Sequence, residues 1–128
     1  MEEILLAVNG SLMRGFALNK NLVEVQAEFV REDTTSDQYR MWSIDDQYPA
    51  MQRDSTGGQK IELEIWKMTP PALVKLLDSE PPGLCLGKIE LSDHQWMFGI
   101  LGEDHICQGM HEITRYGGWR AYQSQNNA

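Results

Sequence analysis

The chain has 128 residues, a formal net charge of −8 and a sequence pI near 4.7, with 41% of its residues hydrophobic and 23% charged. That length fits one domain, residues 1–128, large enough to bury a core without metal or disulfide staples. So acidic a balance repels phosphate backbones and anionic lipid surfaces, which argues against nucleic-acid and membrane partners.

Residues 4–8, Ile-Leu-Leu-Ala-Val, are a short continuous apolar run and predict a buried strand that ends at Asn9-Gly10. The polar stretch around Asn19 and Asn21 predicts a short helix over residues 21–25. Residues 27–31 read as extended, and residues 32–37, with two threonines and a serine, read as a turn. Aromatic and branched side chains predict a strand over residues 39–44. A turn follows at residues 45–47, then Tyr48-Pro49-Ala50-Met51 and a glycine-rich loop ending at Gly57-Gly58.

Residues 60–68 alternate strictly, Ile61, Leu63 and Ile65 against Glu62, Glu64 and Trp66, which is the strongest strand signal in the chain. Thr69-Pro70-Pro71 marks a helix start, with Thr69 as N-cap and proline in the first turn. Ala72, Leu73, Leu76 and Leu77 share one face of that helix, and Pro81-Pro82-Gly83 stops it. Residues 84–91 and 95–101 predict a hairpin across Ser92-Asp93-His94. The tail is read as a short segment from His105 followed by Tyr116-Gly117-Gly118-Trp119-Arg120. Strands outnumber helices, so the expected class is α+β, a small curled or closed mixed β-barrel with a few short helices.

Several residues can carry chemistry. Asn9-Gly10-Ser11-Leu12 follows a strand end and is either a plain turn or a nest of outward main-chain N–H groups for an oxygen anion, with Arg14 beyond it as added charge. Glu80 is either a solvated helix-end glutamate or a carboxyl desolvated by the apolar face before it, and so fit for general acid–base work. Glu62 and Glu64 are either paired carboxylates or the solvated face of a half-buried strand. Tyr116 and Arg120 belong either to an aromatic plug or to the wall of a ligand cavity, Arg120 being a possible carboxylate partner there. His94, His105 and His111 lack metal-ligand spacing, and no phosphate-loop or nucleophile-elbow motif occurs, so no metal or cofactor is expected. Cys85 and Cys107 form no CxxC and read as reduced, buried thiols. The acidic start of the chain lacks the basic region of a signal peptide, and no apolar run approaches a span of ~20 residues, so a cytoplasmic protein is expected.

Taken together, these segments resemble a known family. "VNGSLMRG" (residues 8–15) and "IELEIWKMTPPALVKLLDSE" (residues 61–80) resemble the loop, strand, helix and acidic residue of the gamma-glutamylcyclotransferase superfamily. "PPGLCLGKIEL" (residues 81–91) and "EITRYGGWRAY" (residues 112–122) are similar to the C-terminal, cyclotransferase-like domain of allophanate hydrolase and its stand-alone relatives. The resemblance implies that the backbone of Gly10, Ser11 and Leu12 holds substrate, that Glu80 performs the proton transfers, and that Pro49, Ala50 and Met51 line the cavity. Asn9 stands where the superfamily has a tyrosine. In allophanate hydrolase this domain accompanies an amidase half that has no counterpart in these residues, so only the accessory role is expected to transfer. That role implies a small carboxylate-bearing amide or urea-derived substrate and help with its decarboxylation, transferase or lyase chemistry by one glutamate. The alternative is a non-catalytic module that binds a small acid and acts with a separate amidase protein.

Overall fold

Alternating apolar side chains and antiparallel returns build two sheets. The computed structural model of the chain describes residues 2–126. In the first sheet the order is β2-β5-β1-β7-β6, formed by β1 (Ile4–Val8), β2 (Glu28–Thr34), β5 (Glu62–Met68), β6 (Leu84–Glu90) and β7 (Trp96–Gly102). Its strands are antiparallel except β1 and β7, which run parallel at its centre with Leu6 beside Phe98 and Ala7 beside Gly99. The second sheet is antiparallel, ordered β4-β3-β8, with β3 (Tyr39–Ile44), β4 (Tyr48–Arg53) and the two-residue β8 (His111–Glu112).

The larger sheet curls but does not close. The ends of its two edge strands meet at one bridge, Thr35 to Leu91, flanked by Ser36 N–H donating to Glu90 O at 2.9 Å and Ser92 N–H to Thr34 O at 3.0 Å. Beyond Thr35 the chain leaves for the second sheet instead of running on beside β6. The expected α+β class holds, and the expected curled or closed barrel is corrected to two sheets, the larger one curled but open. The expected turn at residues 32–37 is likewise corrected, because Glu32, Asp33 and Thr34 continue β2. Most of β2 is an exposed edge strand, and its charged side chains pair at the surface, Arg31 with Asp33 at 3.1 Å and Glu32 with Arg14 at 2.8 Å.

The core lies between the sheets and the helix that follows β5. Leu63, Ile65, Leu73, Leu76, Ile89 and Ile100 are buried together with Leu6, Met41 and Met51. That helix, α2 (Pro70–Asp78), begins where the Thr69 side chain accepts from Ala72 N–H, and it buries Ala72, Leu73 and Leu76. The short helix before β2, α1 (Asn19–Glu24), starts two residues earlier than predicted. The tail holds helices that the sequence pattern did not reveal, α3 (Asp104–Cys107) and α4 (Trp119–Asn126), the latter preceded by a tight turn at Thr114–Tyr116. Gly117 follows that turn at φ +78, the left-handed conformation that glycine adopts without strain. Among the described residues no helix is long and apolar enough to cross a membrane. Both cysteines are free, and Cys85 is exposed where a buried thiol was expected, while Cys107 is buried.

Candidate active site

Where β1 runs out, the chain cannot continue as a strand. The Asn9 amide is buried and its Nδ2 donates to Ile100 O on β7 at 3.0 Å, with the Met51 sulfur 3.9 Å away. Gly10 then passes so close to Pro49 that a Cβ there would lie 2.5 Å from the proline Cδ. A side chain at position 10 would push the loop off β4. The next carbonyls all turn toward the protein. Gly10 O accepts from Met13 N–H at 3.0 Å, Ser11 O from Leu18 N–H at 3.1 Å, and Leu12 O from Asn19 Nδ2 at 2.8 Å. The N–H groups of Gly10, Ser11 and Leu12 donate to no acceptor among the described residues. Successive free amides in one tight loop form a positive concavity suited to an oxygen anion.

Glu80 closes the other side. It follows the C-terminus of α2, with its N–H donating to Leu77 O at 3.1 Å, and its carboxylate has no ion pair or hydrogen bond among the described residues. It lines one narrow cleft, of about 290 Å³ including the open mouth, together with Asn9, Gly10, Ser11, Leu12 and Pro49. The remaining walls are Val8, Leu84, Ile100 and Tyr48. Burial pushes the Glu80 carboxyl above the usual carboxylate range, and no neighbouring cation offsets it. Burial also raises the Tyr48 hydroxyl, with the charges of Asp45 and Glu80 adding to the effect. Such a cleft can hold an anion at one end and give or take a proton at the other.

Six of the eleven expected site residues thus share the cleft, and five lie elsewhere. Ala50 packs against Gly102, and Met51 is buried in the core. Tyr116 stacks edge-on to Tyr122, with ring centroids 5.2 Å apart. Arg14 and Arg120 converge on Glu64 instead, with Arg14 Nε 3.1 Å and Arg120 Nη2 3.1 Å from Glu64 Oε2. Glu64 is only 1% exposed, so it is no solvated strand face, and its Oε1 also accepts from Trp66 Nε1 at 3.2 Å. Val8, Tyr48, Leu84 and Ile100 also line the cleft and were not expected there. Tyr48 had a usable signal, since it adjoins Pro49 on the same strand, whereas Leu84 and Ile100 read only as strand residues.

A gamma-glutamyl cyclotransferase shares this fold at a TM-score of 0.55 and 13% identity, over 87% of this chain and 70% of its own. Residues 4–124 match the family described as "Allophanate hydrolase C-terminal domain", and the chain belongs to that family. A uropathogenic E. coli-specific protein of solved structure is similar at 46% identity and a TM-score of 0.94, covering 97% of this chain and 98% of that one. The urea amidolyase of Saccharomyces cerevisiae is 30% identical over 93% of this chain. The chain spans 7% of that relative's length.

Proposed function

We propose that the cleft binds a small carboxylate-bearing, urea-derived molecule and that Glu80 serves as its general acid and base. The observation that carries this reading is the pairing of three free main-chain N–H groups with a desolvated, unpaired carboxyl in one cleft. Membership in the allophanate hydrolase C-terminal domain family supports this substrate class. Allophanate is urea with a carboxylate on one nitrogen, and hydrolysis of its terminal amide leaves a single nitrogen bearing two carboxylates. Breaking one C–N bond of that product releases carbon dioxide, and the nitrogen must then gain a proton. Protonated Glu80 donates it, leaving carbamate, and regains a proton from water. The amides of residues 10–12 hold the carboxylate that stays behind, as donors placed in advance at the charge. The chemistry asks for no serine, cysteine or metal, only position and one proton.

Cyclotransfer on a γ-glutamyl amine would use the same groups. The substrate's own amine attacks its γ-carbonyl, and Glu80 moves a proton from that amine to the leaving one. The narrowness of the cleft favours the smaller acid. The side chain of Asn9, where the superfamily has a tyrosine, is also committed to Ile100 O rather than free to shape the mouth. A second reading, a binding module that works beside an amidase without chemistry of its own, is favoured by one fact. The curated relative carries this region as 7% of a much longer chain.

The test is to add the protein to allophanate and an allophanate-hydrolysing amidase, and to follow carbon dioxide release against ammonia release. The enzyme reading expects faster carbon dioxide release, with Glu80→Gln lowering the acceleration by about 10²–10⁴-fold. Release unchanged by the protein would support the binding module. 5-Oxoproline formed from γ-glutamyl amino acids, and lost in Glu80→Gln, would shift the assignment to cyclotransfer.

A further inference from the structure

We infer that the cleft takes up its carboxylate ligand together with one proton, which resides on Glu80. The inference rests on the proposed function and deepens it by specifying the charge state in which the site works.

Around Glu80, β4 presents Tyr48, whose hydroxyl also feels the charge of Asp45 in the turn before β4, and the loop after β1 presents Asn9 and Ser11. Leu84 of β6 and Ile100 of β7 complete the walls. None of the residues lining the cleft is a lysine, arginine or histidine. The two arginines expected at the site are committed elsewhere. Arg14 pairs with Glu64 at 3.1 Å and Glu32 at 2.8 Å, and Arg120 pairs with Glu64 at 3.1 Å and Glu62 at 3.5 Å.

A carboxylate on the amides of residues 10–12 therefore enters a narrow space that already holds one carboxyl and no cation. If Glu80 stayed ionised, two like charges would face each other across apolar walls, with only backbone dipoles to offset them. Two carboxyls confined in this way share a proton, because ionising both is unfavourable. Burial already biases Glu80 toward its neutral form before any ligand arrives. A bound anion pushes in the same direction, so proton uptake and ligand uptake are linked. The linkage has a chemical use, since it loads the acid that the leaving nitrogen needs in the same event that binds the substrate.

Malonate, a stable dicarboxylate of the substrate's shape, tests this. Calorimetric titration in two buffers of different ionisation enthalpy, over about pH 7 to 9 where malonate stays fully ionised, counts protons. Amide NMR shifts of residues 10–12 report occupancy independently. The inference expects uptake approaching about one proton per malonate, with affinity falling by up to about tenfold per pH unit above the free Glu80 pKa. Glu80→Gln should bind malonate with no uptake and little pH dependence. Malonate that shifts the amides of residues 10–12 with no proton uptake would overturn the inference and leave the proposed function standing. Uptake that persists in Glu80→Gln would overturn it too, by placing the proton elsewhere. Unmoved amides at high malonate and about pH 6, where protonation is most complete, would instead overturn the proposed function itself.

Discussion

Glu64 accepts from both the main-chain N–H of Arg14, at 2.9 Å, and its Nε, at 3.1 Å. One buried carboxylate therefore fixes the position of a residue only two beyond Leu12, the last of the three free amides. Through Arg120, at 3.1 Å, the same carboxylate ties α4 to that loop. The loop of free amides is thus held by an ion cluster on β5 and by the contact of Gly10 with Pro49.

Glu64→Ala would leave the Arg14 N–H and the Trp66 indole without their acceptor. Both arginines reach solvent, which limits the cost, so about 1–3 kcal/mol of stability should be lost. Urea unfolding measures this. The amides of residues 10–12 should shift in NMR spectra although Glu64 does not line the cleft.

Gly10→Ala would place its Cβ 2.5 Å from Pro49 Cδ, so the loop or β4 must move. Overpacking of this kind costs about 1–3 kcal/mol. Malonate affinity should fall in titration while the circular dichroism spectrum keeps its native shape. Unchanged affinity would remove the loop from the site.

The raised Glu80 pKa sets a signed pH dependence. A carboxyl that binds its proton more tightly when folded adds stability below its unfolded pKa, near 4.3, and loses that contribution as pH rises through the folded value. Glu80→Gln should therefore be more stable than wild type at about pH 8 and match it near about pH 4. Paired urea melts at the two values test the sign. A variant less stable at the higher pH would mean that the Glu80 charge has a stabilising partner.

The two thiols should react in separate phases. Cys85 is exposed, whereas Cys107 is buried and its thiol is pushed up to about 11 by burial and by Asp104. A disulfide reagent at neutral pH should label one thiol quickly and the second only on unfolding. Cys85→Ser should remove the fast phase.

Much of the fold was legible because several segments carry strong local signals. The period-two run before Met68, the Thr69-Pro70-Pro71 start and the apolar face of α2 each name their own structure. That Gly10, Ser11, Leu12 and Glu80 come together in one cleft was legible through the order of these segments and their family resemblance. What failed depends on distant neighbours. Glu64 alternates like a surface residue, and only the arrival of Arg14 and Arg120 buries it. Helix α4 escaped notice because only Trp119 and Tyr122 among its described side chains are buried, too few to mark an apolar face. Whether the curled sheet closes depends on where the chain turns after Thr35, and no local pattern records that.

The most direct test of the account is a crystal grown with malonate. It predicts one carboxylate within hydrogen-bond reach, about 2.7–3.2 Å, of the N–H groups of residues 10–12, with the other end of the molecule against Glu80. Malonate seated on Arg14 or Arg120, with the cleft unoccupied, would contradict it.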